Sequence, residues 1–92
     1  MSARPKPPAA LPDGNNLRDV LAYNIRLLRV DKGWSQEELA SQCGLDRTYV
    51  SAVERSRWNV SLSNIERMAH ALGTQPWLLL KPPEEPAANE QP

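Results

Sequence analysis

The chain lacks most of the residues from which disulfides, metal sites and membrane spans are built. Cys43 is the only cysteine in 92 residues, so no intramolecular disulfide can form. One cysteine and one histidine cannot hold a structural zinc ion. The apolar run from Trp77 to Leu80 is too short to cross a bilayer, and the N-terminus has no apolar segment of the signal-peptide kind. We therefore expect a cytoplasmic protein without metal, cofactor or membrane partner.

Catalytic chemistry is also poorly supported. An enzyme needs a nucleophile and a base, or paired acids, that converge in a pocket. The single histidine, His70, reads as a half-exposed surface residue, and Cys43 reads as a small filler at a helix end. The carboxylates are scattered over predicted helix ends. We expect neither enzymatic activity nor a small-molecule substrate.

Proline is concentrated at the two ends of the chain. Four prolines lie within residues 1–12 and four within residues 82–92, with only Pro76 between them. Proline supplies no amide donor and interrupts helices, so residues 1–15 and 82–92 are predicted to be flexible tails. The remaining residues, 16–81, are predicted to form one folded domain. A core this small is marginal on surface-to-volume grounds and would gain stability from dimerisation.

Capping residues divide this domain into five predicted helices, which makes the fold all-α. The expected N-terminal caps, in order, are Asn16, Ser35, Asp46 and Ser61, followed by Pro76 at the first position of a short fifth helix. Glycines at 33, 44 and 73 are expected to end the first, second and fourth helices. Ser35 and Glu38 form a capping-box pattern. Only about three residues, including Gly44, separate the second helix from the third, and this spacing is typical of a helix-turn-helix.

The third helix has two chemically different sides. On a helical wheel of about 100° per residue, Val50 and Val53 define the buried side. The opposite side is predicted to carry Thr48, Ser51, Ala52 and Arg55, with Arg47 at its edge and Tyr49 and Glu54 on the flanks. Small residues beside forked or hydroxyl donors suit the base edges of a DNA major groove.

Each polar residue of this region has a candidate contact. Arg47 can bond both acceptors of a guanine, while Thr48 can reach a phosphate or a thymine methyl. Further residues are predicted to contact DNA, mostly at backbone phosphates outside the groove. The complete predicted set is Gln36, Arg47, Thr48, Tyr49, Ser51, Ala52, Arg55, Arg57 and Asn59. The formal net charge is zero, but residues 17–81 carry nine Lys or Arg against seven Asp or Glu. DNA recognition needs a basic face rather than a basic total.

Several nearby residues have structural interpretations. Asp46 is expected to act as a helix cap, and Glu54 is expected to pair with Arg26 or Arg29 of the first helix. Trp34 and Trp77 are expected in the core. Trp58 has two readings, since it can pack beneath the fourth helix or lie against the sugar-phosphate backbone.

The stretch from Ile25 to Gly73 resembles the lambda-repressor/Cro-type helix-turn-helix domain, or Xre family. The matching features are two arginines before a glycine, the "SQEELA" segment, Gly44 in the turn, Ser51, Glu54 and the closing "LSNIERMAHALG". Within that family, "LDRTYVSAVER" is similar to the controller proteins of restriction-modification systems. The family's loop after the third helix usually has a glycine and then Asn-Pro, whereas this chain has Ser56 and then Asn59-Val60.

The resemblance implies a five-helix transcription regulator that binds an inverted-repeat operator as a homodimer. It also implies a dimer interface made by the last helices, here Trp77, Leu78, Leu79 and Leu80 with part of the fourth helix. A second interpretation stays open, in which the bundle is an antitoxin-like module that binds a partner protein through its fifth helix and tails.

Overall fold

The computed structural model describes residues 7–8 and 10–84, which contain four α-helices, one 3₁₀ helix and no β-strand. Helix α1 spans Leu17–Asp31, α2 spans Gln36–Cys43, α3 spans Arg47–Glu54, α4 spans Leu62–Leu72, and the 3₁₀ helix spans Pro76–Leu80. The predicted all-α class is confirmed. The fifth helix differs, because five residues without a side-chain cap at Gln75 form a 3₁₀ turn rather than an α-helix. The predicted flexibility of residues 1–15 and 82–92 stays a prediction, and residues 1–6, 9 and 85–92 of these tails lie outside the described part of the chain.

The predicted caps are present. The side chains of Asn16, Ser35, Asp46 and Ser61 each accept a hydrogen bond from a backbone amide in the helix that follows. The capping box of α2 is complete, since Ser35 N donates to Glu38 Oε1 at 2.7 Å and Glu38 N donates to Ser35 Oγ at 3.0 Å. These contacts satisfy amides that have no partner within the helix. Local sequence therefore fixes where each α-helix begins.

One core unites all five elements. Ile25 of α1, Leu39 of α2, Val50 of α3, Met68 of α4 and Leu79 of the 3₁₀ helix are fully buried. They belong to a single contact cluster, so no helix packs independently of the others. None of the helices in the described part of the chain is long and apolar enough to span a bilayer.

Three residues assigned to the interior behave differently from one another. Trp34 is half-buried and packs against the core, as predicted. Burial raises the pKa of the Cys43 thiol, with partial opposition from the Arg67 guanidinium, so this thiol remains protonated and acts as an apolar filler. The assignment of Trp77 to the core is wrong, because its side chain is 64% exposed. The 3₁₀ helix turns Leu79, rather than Trp77, inward.

A buried asparagine attaches the 3₁₀ helix to α1. The Asn24 Nδ2 atom lies 2.9 Å from the carbonyl oxygen of Leu79, 3.0 Å from that of Lys81 and 3.4 Å from that of Leu78. These oxygens belong to the end of the 3₁₀ helix, where carbonyls lack partners within the helix. The Asn24 amide, which is 8% exposed, therefore holds the last element against the first.

Candidate nucleic-acid interface

The geometry of α3 is set at its junction with α2. Gly44 ends α2 with φ 70°, a left-handed conformation that disfavours residues with a Cβ atom. Leu45 N then donates to Ala40 O at 2.9 Å, which closes the turn. Asp46 Oδ1 accepts from Thr48 N at 2.9 Å and starts α3 immediately. Two helices of eight residues are thus joined at a fixed angle by a three-residue turn, which is the arrangement of a helix-turn-helix.

One side of α3 is held inward and the other is exposed. Val50 and Val53 are 0% and 2% exposed, so the predicted buried side is confirmed. On the other side a shallow depression of about 170 Å³ is lined by Arg47, Thr48, Ser51 and Arg55. Three of the four are exposed and Ser51 is half-exposed. The structure therefore places two guanidinium groups and two hydroxyls together on one open face, which we call the outer face of α3.

Ala52 does not belong to the outer face, although the helical wheel placed it there. Its side chain is only 4% exposed. Both α1 and α2 pack against α3, and Ala52 is covered together with Val50 and Val53. On the helical wheel, the outer face of α3 therefore spans an arc of only roughly 100°, from Arg47 to Thr48. This packing does not support the predicted contact between Ala52 and DNA.

A buried ion pair fixes the end of α3 against α1. Arg29 Nε lies 2.6 Å from Glu54 Oε2, and Arg29 Nη2 lies 2.9 Å from Glu54 Oε1. Both side chains are almost inaccessible, at 6% and 3%. Arg29 Nη1 also donates to Trp34 O at 2.8 Å, which ties in the start of α2. The predicted pairing of Glu54 with α1 is confirmed, and Arg29 is its partner.

Gln36 takes part in this network before any DNA is present. Its Nε2 donates to Glu54 Oε1 at 3.0 Å. An amide nitrogen carries two hydrogens, so one remains for an external acceptor. The predicted phosphate contact of Gln36 therefore remains compatible with the structure, and the side chain is already oriented by Glu54.

Tyr49 and Trp58 form an aromatic pair beside the outer face. Their ring centroids lie 5.5 Å apart with an interplanar angle of 62°, an edge-to-face arrangement. Asn64 Nδ2 of α4 donates to the Tyr49 hydroxyl oxygen at 2.9 Å, so the hydroxyl hydrogen is left for another acceptor. Trp58 is 45% exposed, so it is not buried beneath α4.

The segment after α3 exposes further polar groups. Arg57 and Asn59 are exposed, as the predicted phosphate contacts require. The α3 helix ends when Ser56 N donates to Val53 O and Arg57 N donates to Ala52 O, both at 3.0 Å, which is a Schellman pattern. Ser56 has φ 58°, so it occupies the left-handed position that usually holds glycine.

Replacing Ser56 with glycine is expected to raise the free energy of unfolding by about 0.5–1 kcal/mol, because the left-handed conformation is strained for serine. Urea denaturation monitored by circular dichroism measures the change. The control is Ser56→Ala, which keeps the strained Cβ atom and should bring no gain. Equal midpoints for the glycine and alanine variants would contradict the assignment of strain to this position.

The four residues predicted at a dimer interface do not share one environment. Trp77 is 64% exposed, Leu78 and Leu80 are half-buried, and Leu79 is fully buried. Leu79 was wrongly included, because it fills the core of its own subunit. Leu80 also lines an apolar groove of about 230 Å³ beside Leu17 and Leu62. Those two leucines are 57% and 75% exposed and were not identified from the sequence.

Residues 20–79 match the model of a helix-turn-helix domain. The chain belongs to this helix-turn-helix family. The matched residues include all four helices of the core except the start of α1, together with nearly all of the 3₁₀ helix.

No group of three or more potential metal ligands occurs within residues 7–8 and 10–84 of this helix-turn-helix protein.

Two relatives extend the comparison. The helix-turn-helix protein is 73% identical over 78 residues to the "Neisseria hypothetical transcription factor" of Neisseria meningitidis, covering 85% of this chain and 74% of that protein. It is 49% identical over 67 residues to the control protein C.BamHI of Bacillus amyloliquefaciens, covering 72% of this chain and 83% of that protein. The predicted resemblance to controller proteins is thereby confirmed.

Solved structures agree with these relatives. The crystal structure of a hypothetical transcription factor from Neisseria superposes with a TM-score of 0.87 at 64% identity, covering 97% of this chain and all of that one. The restriction-modification controller protein C.Esp1396I, as a tetramer in complex with its natural 35 base-pair operator, gives a TM-score of 0.63 at 32% identity. That match covers 68% of this chain and 83% of the other. The helix-turn-helix protein is thus similar in sequence and fold to transcription regulators.

Proposed function

We propose that the protein is a sequence-specific DNA-binding transcription regulator that acts as a homodimer on an inverted-repeat operator. Within that class, we infer that it is a restriction-modification controller protein. The observation that carries the proposal is the outer face of α3, where Arg47, Thr48, Ser51 and Arg55 converge while Val50 and Val53 anchor the opposite side. Relatives named as transcription factors and control proteins support it.

The outer face matches what a major groove offers. A guanidinium group can donate to the O6 and N7 atoms of a guanine at the same time, and Arg47 lies exposed in the first turn of α3. Thr48 and Ser51 add hydroxyls that bond a base edge or a phosphate without blocking entry of the helix. Because the core and the ion pair with Arg29 hold α3 in place, the backbone that carries these groups does not need to be ordered on binding.

Phosphate contacts would surround this reading helix. Gln36 lies in the first turn of α2, while Arg55, Arg57 and Asn59 lie at and beyond the end of α3. Residues 17–81 carry a formal charge of +2 although the complete chain is neutral. Contacts of this type set affinity and orientation rather than sequence preference. They also make binding weaken as salt is added.

The apolar surface around the 3₁₀ helix is proposed as the dimer interface. In a 3₁₀ helix, residues three apart lie on the same side, so Trp77 and Leu80 face the same way. Leu80 in turn borders the groove that Leu17 and Leu62 flank. We call Leu17, Leu62, Trp77 and Leu80 the apolar surface. A symmetric pair of chains joined there would present two copies of α3 about one DNA turn apart, roughly 34 Å.

Selection of binding sites from random duplex DNA tests the proposal most directly. The expected result is one preferred sequence with two-fold symmetry, because a symmetric dimer reads the same half-site twice. Recovery of no enriched sequence at low salt would reject DNA reading. Enrichment of an asymmetric sequence would instead reject the symmetric dimer.

With the selected operator available, Arg47→Ala is expected to cost about 1–3 kcal/mol of binding free energy on the operator and much less on a scrambled duplex. The reason is that Arg47 is assigned to a base edge. Fluorescence anisotropy titration of both labelled duplexes measures the two losses.

Arg57→Ala is the matched control for that measurement, because it removes the same side chain from a position assigned to phosphate. It should weaken both duplexes alike and reduce the slope of log affinity against log salt by about one. Equal losses on operator and scrambled DNA for Arg47→Ala would refute its role in base reading.

A further inference from the structure

Trp58 lies at the edge of the proposed DNA surface, and of its two sequence-based readings the burial beneath α4 does not hold. It stands between two exposed polar residues, Arg57 and Asn59, in the segment that follows α3. Nearly half of its side chain, 45%, is accessible. An exposed tryptophan is costly to leave in water, since it presents a large apolar area. Its position beside proposed phosphate contacts distinguishes it from Trp77, which lies on the 3₁₀ helix.

The Trp58 ring is held by an edge-to-face contact with Tyr49. Tyr49 packs against the core cluster and makes an edge-to-face contact with the indole ring, while Asn64 holds the Tyr49 hydroxyl. Within the described part of the chain, the indole N–H has no hydrogen-bond acceptor. The ring is therefore held in place by α3 and α4 while one part of its surface and its only donor remain available.

Given the proposed DNA-binding function, we propose that Trp58 is a backbone-contacting residue that packs its indole ring against a deoxyribose of the operator. A deoxyribose offers apolar C–H groups beside a phosphate oxygen, which matches an apolar ring with a single N–H donor. The neighbouring Arg57 and the nearby Arg55 supply the positive charge that brings the phosphate backbone to this edge.

The contact with Tyr49 gives this backbone contact a second consequence. Tyr49 belongs to α3, so its ring contact with Trp58 connects a deoxyribose packed on Trp58 to the helix that reads the bases. Backbone contacts fix the register of a protein on the duplex. Trp58 thus fixes one point of the duplex backbone relative to α3 on any DNA sequence.

Fluorine NMR of the complete wild-type chain, labelled with fluorinated tryptophan, tests the proposal. Three tryptophans give three resonances, and the Trp58→Phe variant identifies that of Trp58. On addition of operator duplex, the Trp58 resonance should shift and lose its response to a solvent-exposed paramagnetic probe. The half-buried Trp34 serves as an internal control and should keep its response.

The outcomes separate this inference from the proposed function. If anisotropy shows full operator binding while the Trp58 resonance stays accessible, the backbone contact is wrong and DNA binding stands. If the Trp58 resonance becomes protected with rising protein concentration in the absence of DNA, the ring serves a protein interface and the inference is also overturned. If no duplex is bound at all, the proposed function itself fails, and this inference fails with it.

Affinity measurements complete the test. Trp58→Ala should weaken binding about tenfold on operator and scrambled duplexes alike, comparable to the loss of one aromatic contact to nucleic acid. Trp58→Phe should recover most of this loss, because it retains an aromatic ring. The salt dependence should remain that of the wild type for both variants, in contrast to Arg57→Ala. Unchanged affinity of Trp58→Ala, or a loss confined to the operator, would contradict a sugar contact.

Discussion

Replacing Glu54 with alanine is expected to lower the free energy of unfolding by about 3–5 kcal/mol, the largest effect of any single exchange considered for this chain. The reason is that the change removes one partner of an ion pair whose side chains are only 6% and 3% exposed. Arg29 would keep its positive charge in the interior with a single remaining acceptor, Trp34 O. Urea denaturation of the two proteins measures the loss.

Two further variants show whether the buried charge is the cause. Glu37→Ala removes an exposed carboxylate from α2 and should change stability by less than about 0.5 kcal/mol. The double variant Arg29→Met with Glu54→Met removes both charges and should recover a large part of the loss, since an apolar pair needs no counter-charge. A Glu54→Ala protein within about 1 kcal/mol of the wild type would contradict the importance of the pair.

Introducing a charge at Trp77 is expected to have the largest effect on operator affinity. Trp77→Glu should turn the proposed dimer into a monomer, because it places a carboxylate on the apolar surface, where Trp77 is 64% exposed. The loss on the inverted repeat should be about 10²–10⁴-fold, since the second half-site is then no longer bound intramolecularly. Sedimentation velocity measures the oligomeric state, and anisotropy measures affinity for the complete operator and for one half-site.

The half-site provides the internal control. Affinity for a single half-site should be unaffected by Trp77→Glu, because α3 is untouched. Leu27→Glu is the matched variant, since Leu27 is an exposed leucine of α1, 39% accessible, that is not one of the residues of the apolar surface. It should remain dimeric. A Trp77→Glu protein that sediments as a dimer would exclude the proposed interface.

Most helix ends could be predicted from sequence because each depends on residues close to one another. The capping box, the Asp46 cap and the turn at Gly44 each involve residues within five positions of one another. Such contacts between near neighbours do not depend on how distant parts of the chain pack. The starts of the α-helices, and hence the short joint between α2 and α3, were therefore accessible without coordinates, whereas the end of α3 before Ser56 was not predicted.

Residues whose environment depends on distant elements were predicted less well. A helical wheel assigns Ala52 by angle alone, but burial on α3 is decided by how much of it α1 and α2 cover. Leu79 lies in an apolar run whose residues cannot be told apart by hydrophobicity. Packing against α1 decides which of these side chains is buried. The exposure of Leu62 is likewise invisible in a sequence, because it reads as one more leucine of the α4 stripe.

Asn24 was missed as well, although a signal for it exists. A polar amide stands between Leu21 and Ile25, within the apolar pattern of α1. A buried polar group requires a hydrogen-bond partner, so the position of Asn24 predicts a hydrogen bond to another element. The sequence does not reveal which carbonyls receive it, because they lie more than fifty residues away.

The Asn24 contacts make the proposed self-association sensitive to the interior of α1. The amide holds Leu78, Leu79 and Lys81, and Trp77 lies in the same short turn. A chain altered at Asn24 would therefore present Trp77 on a loosened support, although none of its surface chemistry had changed. Genetic screens for variants with defective regulation should therefore recover substitutions of the buried Asn24 as well as substitutions on the apolar surface.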